Sequence, residues 1–283
     1  MIPEDFIYYD TIKSEFEYSS AYKYLDKYLT RNVFEQRSTK ECRNSDIKDS
    51  TVWQFWDSGV EHSPKLVKKC IQSVDKFLNN DHVLLDSNNI KDYVEFPGYI
   101  IDKYNKGIIS RAHFSDLLRL ELLSRYGGIW IDSTVYISGP LPDYMTDKEC
   151  FMFKSSVMNN SVIKASSWYI QSKVNNRLIL SWKNLLYDYW KSEDCLCNYY
   201  LVHIAMSKII NEDRRSMIVF DRIPYFNNSE PHILWGRLGK RYDEAEWKHI
   251  KGRTPVHKLS YKERLLMGDD DTYFQRLMEN SLD

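Results

Sequence analysis

The chain has 283 residues, 43% of them hydrophobic and 28% charged, with 39 Lys+Arg against 40 Asp+Glu and a net charge of −1. A chain of that length buries roughly three quarters of its unfolded surface, so it needs no disulfide or metal staple. Near-neutral charge gives it no overall field with which to hold DNA or RNA, so a general nucleic-acid binder is excluded.

Residues 1–48 read as a helical N-terminal extension. Phe16, Tyr18, Tyr22, Tyr24, Leu25, Tyr28 and Leu29 recur near helical spacing, with Lys23, Asp26, Lys27 and Arg31 between them. The same Tyr-rich face could also rest on a membrane surface. The Asn/Asp/Ser-rich stretch from Gln36 to Ser50 reads as a linker. A buried strand then covers Thr51–Trp56, ended by Asp57-Ser58-Gly59. Ser63-Pro64 opens a helix, Ser as N-cap and Pro at its first position. Leu66, Val67, Cys70, Ile71, Val74, Phe77 and Leu78 lie on one face of it. His82–Leu85 is a second strand, so this β-α-β order predicts a parallel crossover.

A turn and short helix follow over 96–107. Ser110 caps a helix over 111–126, and Gly127-Gly128 terminates it. Ile129-Trp130-Ile131 is an apolar strand running straight into Asp132-Ser133-Thr134, with 135–137 extended beyond. Further strands are expected at 150–153, 166–170 and 217–220, and helices at about 175–190 and 196–211. From 221 the chain reads as loop-rich. No stretch approaches about 18 uninterrupted apolar residues, which speaks against a spanning helix. The acidic start MIPEDFIYYD lacks the basic segment of a secretory signal. Without such a signal the odd count of five cysteines reads as reduced thiols in a cytoplasmic protein, and Cys195-x-Cys197 is too tight and too solitary for zinc.

The strongest constellation is Ser115-Asp116-Leu117-Leu118-Arg119 followed by Tyr126-Gly127-Gly128-Ile129-Trp130-Ile131-Asp132-Ser133-Thr134. Asp116 and Arg119, three apart, share a helix face. Asp132 stands at a strand's C-terminal end, where ligands bind in open α/β sheets. Together they suit a sugar diphosphate: carboxylates for hydroxyls or a cation, a guanidinium for phosphate oxygens. The plainer alternative is an intrahelical ion pair and a turn-starting aspartate. The 21 Tyr, 12 Phe and 8 Trp are equally compatible with sugar stacking and with an ordinary core. Among other candidates, His113 lies three residues from Asp116 as a cap or supporting group. His203 sits in an apolar helix as a core histidine, and Asp269-Asp270-Asp271 reads as a solvated charge run.

SDLLRLELLSRYGGIWIDSTV resembles the signature of glycosyltransferases with a DXD-type sugar-binding motif. More closely it resembles the capsular polysaccharide synthesis protein family. VWQFWDSGVEHSPKLVKKCIQSV, ISRAHFSDLLR, SSWYI and VHKLSYK extend the resemblance over roughly 50–262. It implies an α/β fold of GT-A type, a Rossmann-like mixed sheet flanked by helices. The catalytic domain would span 49–283, with a nucleotide-sugar half at about 49–140 and an acceptor half at about 141–283. The implied activity is transfer of a sugar from a nucleotide-sugar donor, most readily a UDP-sugar, to a growing and lipid-linked polysaccharide or glycan. The anomeric configuration would be retained, and the protein would be cytoplasmic, peripheral at the inner face of the membrane.

By the same resemblance Asp116 and Arg119 would contact donor sugar and diphosphate, and Asp132 would be the first carboxylate of the DXD-like motif. Trp56 would lie near the nucleobase, Ser133, His257 and Lys258 on the donor, and Trp168 on the acceptor side. The third motif position is Thr134, and a hydroxyl is a weak neutral ligand. A Mn2+ or Mg2+ ion is therefore held by Asp132 with His257, or is replaced by Arg119, Lys258 and backbone N–H groups. Sugar-phosphate transfer and non-catalytic nucleotide-sugar binding are the rival readings. Asp132, following an apolar strand, is expected to be an unneutralised carboxylate whose removal costs the fold little.

Overall fold

The computed structural model describes residues 4–35, 47–78, 82–156, 162–262 and 271–282, with side chains from residue 13 onward. In chain order the helices are α1 Glu4–Tyr24, α2 Lys65–Leu78, α3 Gly98–Asn105, α4 Arg111–Tyr126, α5 Asp143–Thr146, α6 Arg177–Ser192, α7 Leu201–Glu212, α8 Arg214–Asp221, α9 Glu244–Arg253 and α10 Tyr273–Met278. The strands are β1 Val52–Phe55, β2 His82–Leu85, β3 Gly128–Ile131, β4 Val135–Ile137, β5 Cys150–Lys154, β6 Ala165–Ser172 and β7 Val256–Lys258.

Five strands form one mixed sheet in the order β2-β1-β3-β6-β5. Both β2 and β3 run parallel to β1, while β6 pairs antiparallel with β3 and β5 antiparallel with β6. The mixed α/β class and the β1-α2-β2 parallel crossover expected from sequence are the ones found. The apolar stripe of α2 buries Leu66, Val67, Cys70, Ile71 and Val74. Ser63 does differ from expectation: its hydroxyl donates to the carbonyl of Val60, 2.7 Å away, and closes the turn before the helix.

Ser110 caps α4 as expected, accepting from the backbone N–H of His113 at 3.2 Å. The helix ends on Gly127 and Gly128, with φ of +72° and +94°. A Cβ on Gly128 would lie 2.3 Å from the carbonyl oxygen of Thr51, so only glycine lets β3 approach β1 here.

One expected strand is overturned. Residues 217–220 are helical, within α8, where Asp213 accepts the backbone N–H of Ser216 as N-cap. Ser216, Val219 and Phe220 are buried while Met217 and Ile218 are exposed, a spacing of three and four that only a helix gives. The region after 221 is loop-rich as expected; between its loops stand α9, α10 and β7, and β7 pairs antiparallel with β4 in a second, two-stranded sheet.

The core is continuous from the N-terminal segment to the sheet, because Leu25, Tyr28 and Val33 are buried with β1, β3 and α6. A second cluster of Leu66, Cys70, Tyr136, Trp247, Ile250, Tyr273 and Leu277 lies under the small sheet. Positions 36–46 of the expected linker, with Cys42, and Asp269 and Asp270 fall outside the described residues. Asp271 pairs with Arg276 at 2.7 Å.

Candidate functional site

The C-terminal ends of β1 and β3 open on the same side of the sheet, and the turn after β3 carries Asp132. That turn is pinned from several sides. The N–H of Asp132 donates to the carbonyl of Trp168 on β6 at 2.8 Å, and its carbonyl accepts the N–H of Val135 at 2.9 Å. Ser133 is buried, and its hydroxyl donates to the carbonyl of Phe55 at 2.8 Å. Ser133 therefore holds the turn against β1, its hydroxyl engaged by the backbone.

Four charged side chains converge on this turn. Arg119 on α4 places one Nη atom 2.9 Å from Asp116 and 3.1 Å from Asp132, bridging the two carboxylates. Its other Nη donates to the carbonyl and hydroxyl oxygens of Ser167 on β6. The guanidinium also lies 5.0 Å over the ring of Trp130. Arg119 is only 4% exposed and both its Nη atoms are engaged inside the protein, while its buried Nε has no hydrogen-bond partner among the described residues, so the guanidinium is not open to a diphosphate. Lys258 arrives from β7. Its ammonium is 3.1 Å from the second oxygen of Asp132 and donates to the hydroxyl of Thr134. Trp130 Nε1 donates to Asp132 at 2.9 Å.

The charges of the site follow from these contacts. Burial opposes ionisation of Asp132, but Lys258 and Arg119 outweigh it and hold the carboxyl below the usual aspartate range. Asp132 is thus fully neutralised, contrary to the sequence-based expectation of an uncompensated carboxylate. Asp116 behaves oppositely: burial pushes it up to about 6 against the pull of Arg119, and the neighbouring charge of Asp132 adds to the rise. His113 accepts the indole N–H of Trp190 at 2.7 Å, and burial with the charge of Arg119 pushes its pKa down to about 3. A neutral His113 stands 3.8 Å behind Asp116 as a supporting group.

Other expected site residues are placed differently. Trp56 is half-buried at the end of β1, edge-on to Tyr261 with centroids 5.4 Å apart. Asp57 beside it accepts from Tyr104 at 2.7 Å and pairs with Arg111 at 3.1 Å. Trp168 is buried, stacked on Phe153 at 4.8 Å and donating to Asn228 at 2.9 Å. His232 packs edge-on against it, and burial together with the charge of Lys258 lowers the pKa of that imidazole.

His257 is not brought to Asp132. Successive strand residues face opposite ways, so with Lys258 on Asp132, His257 points into the second core. There it is fully buried, 2.8 Å from the Ser138 hydroxyl and packed on Trp247 and Tyr136. Sequence reasoning missed Ser167 and His203. The imidazole Nε2 of His203 lies 3.2 Å from the Ser167 hydroxyl, so this half-buried histidine is linked to Arg119 and is not simply core. Burial and Arg119 push it down to about 4, leaving it neutral near pH 7. No local signal could have shown this, because the link runs between β6 and α7.

Residues 6–277 match the family described as capsular polysaccharide synthesis protein. The chain belongs to that family. This family member is 31% identical over 118 residues to O-glycosyltransferase braB of Annulohypoxylon truncatum, a match covering 38% of this chain and 28% of that protein. The chain thus spans less than a third of that relative's length. The PaToxG glycosyltransferase structure aligns over 86% of this chain and 95% of its own, with 14% identity and a TM-score of 0.40.

A DXD-type site calls for a divalent cation, and the donor set of this family member does not fit one. Both oxygens of Asp132 already face Arg119, Trp130 and Lys258, and the Thr134 hydroxyl is taken by Lys258. Among the described residues no group of three or more His, Cys, Asp or Glu side chains is arranged to hold a metal ion. None of the described helices is long and apolar enough to cross a membrane.

Proposed function

We propose that this protein is a glycosyltransferase that moves a sugar from a nucleotide-sugar donor, a UDP-sugar foremost, to a growing glycan. The observation that carries the reading is the convergence of Asp116, Arg119, Asp132 and Lys258 at the C-terminal ends of parallel strands. Ligands of open α/β sheets bind at that edge. Membership of a capsular polysaccharide synthesis family and the partial match to an O-glycosyltransferase support the same class of chemistry.

In this reading Asp116 and Asp132 accept hydrogen bonds from sugar hydroxyls, with Arg119 fixing the distance between them. The Trp56 and Tyr261 rings frame the nucleobase. His232, held by Trp168, faces the acceptor side. The bond from the anomeric carbon to the diphosphate oxygen breaks and its electron pair stays on the diphosphate. The acceptor oxygen bonds the anomeric carbon on the same face, and its proton passes to the leaving diphosphate. Charge then builds on the diphosphate, and fixed positive donors stabilise it. Work at the inner membrane surface on a lipid-linked acceptor draws support from the exposed tyrosines Tyr199 and Tyr200, a residue type that sits well at a membrane–water boundary.

The test is the product released from a panel of nucleotide sugars by the purified protein. Nucleoside diphosphate is the expected product. Nucleoside monophosphate would mean sugar-phosphate transfer, and no release despite binding would mean a carrier. A thermal-shift panel identifies the donor beforehand, since the ligand that binds the folded state raises its melting point by mass action.

A further inference from the structure

We infer that the ammonium of Lys258 takes the place of the divalent cation, so that this site binds a nucleoside diphosphate without metal. The inference rests on the donor-site reading above and deepens it. Its ground is where the ammonium lies: bonded at once to Asp132 and Thr134, the first and third residues of the motif that would otherwise bracket a cation.

The charges add up the same way. In a site with a carboxylate at the third position and a divalent cation, those two contribute −1 + 2 = +1. Here Thr134 and Lys258 contribute 0 + 1 = +1. Asp116, Arg119 and Asp132 are common to both arrangements. The substitution at position 134 that weakens a metal site is therefore balanced by one lysine from β7, and the net field on a diphosphate is kept.

Local structure makes Lys258 a fixed donor. The register pairs Val135 with Lys258 across the two-stranded sheet. That pairing sets Lys258 beside the motif turn and sends His257 to the other face. Two of the three ammonium donors are used by Asp132 and Thr134, which among the described residues leaves one for a phosphate oxygen. The lysine is partly open, its side chain 21% exposed, whereas Arg119 is sealed at 5%. Lys258 is thus the cation of the cluster that a ligand can reach.

The experiment compares wild type with Lys258→Met, which keeps the apolar stem, and with the double variant Lys258→Met/Thr134→Asp. Circular dichroism and melting first establish that each is folded. Mn2+ binding to the protein alone is read by electron paramagnetic resonance. Binding of UDP, GDP, ADP and CDP is read by calorimetry, in EDTA and in millimolar Mn2+. Wild type should bind no Mn2+ at micromolar levels and should bind its nucleotide equally well in EDTA. Lys258→Met should weaken that nucleotide roughly 10- to 100-fold, the scale of one charge-assisted contact, with no rescue by Mn2+. The double variant should bind Mn2+ and recover nucleotide affinity only when Mn2+ is present.

Wild-type nucleotide binding that collapses in EDTA would overturn the inference and leave the donor reading standing. So would a folded Lys258→Met protein that binds like wild type, or a double variant indifferent to Mn2+. If none of the four nucleotides binds wild type, the donor reading itself falls, and this inference falls with it.

Discussion

Helix α4 carries two ionic clusters one turn apart, and they differ in access. Glu121 is 3% exposed and faces inward. It accepts from Arg125 at 2.9 Å and from the Tyr187 hydroxyl at 2.8 Å, and pairs with Lys183 at 3.2 Å. Burial disfavours its charge, yet Lys183, Arg125 and Tyr187 together hold its pKa below the ordinary glutamate value. One turn earlier, Asp116 joins Arg119, Asp132 and Lys258, and three of those four side chains remain about one fifth exposed. Both clusters bring carboxylates and cations within hydrogen-bonding distance. The sealed one ties α4 to α6 and has no room for a ligand. The open one leaves Asp116, Asp132 and Lys258 partly exposed beside the strand ends. Charge convergence alone does not mark a binding site; access at a strand edge is what supports the proposed donor site over the sealed cluster.

The largest expected effect lies in the sealed cluster. Glu121→Gln removes the carboxylate that Arg125 and Lys183 face in the interior, which costs about 3–5 kcal/mol. Denaturant unfolding should show that loss at pH 7. Because the folded-state pKa of Glu121 is depressed, its stabilisation is present above the ordinary glutamate pKa and fades as pH falls, so wild type and variant should converge in acid. Equal stability at pH 7 would break the distinction between the two clusters.

Next in size is Arg119→Lys in the open cluster. A lysine cannot span Asp116, Asp132 and Ser167 at once. Sugar transfer should fall by roughly 10²-fold, the scale for losing one preorganised electrostatic group, while the folded protein persists. Turnover close to wild type would reduce the site to a helix ion pair. Asp132→Asn belongs beside it: since Asp132 neutralises Arg119 and Lys258, that change should now lower stability as well as activity.

The smallest effect is a pH dependence at Asp116. Its folded-state pKa is raised to about 6 from 3.8, so the folded protein holds this proton more tightly than the unfolded chain does. Ionisation therefore costs stability, a cost absent below the unfolded value and complete above about 6. Asp116→Asn removes the cost. The melting temperature of the variant relative to wild type should climb as pH rises through 4 to 6 and then level off. A pH-independent difference would show that Asp116 is not strained by burial.

Much of this was legible in the residues themselves. The crossover β1-α2-β2 followed from a β-branched run, an amphipathic helix opened by a proline and a second short strand. The shared face of Asp116 and Arg119 followed from helical spacing, and the sharp return at Gly127-Gly128 from the two glycines. These are local properties, set by backbone sterics and by a period of 3.6 or 2 within a few residues. The 217–220 segment misled because a run of four apolar residues fits either period, and only the packing of Val219 and Phe220 with Ser216 decides for helix.

What the sequence could not decide is which distant groups meet. Strand alternation requires His257 and Lys258 to face opposite ways, but which of them faces Asp132 depends on β7 pairing with β4 more than a hundred residues earlier. Likewise Ser167 and His203 join Arg119 only because β6 lies beside β3 and α7 packs nearby. Composition and periodicity determined the α/β class, the elements around the motif and the charged residues available. The tertiary fold alone determined that Arg119 is sealed, that Asp132 is neutralised and that Lys258 is the reachable cation. Burial and neighbouring charge act through space, and no local pattern in the chain encodes the distances on which they depend.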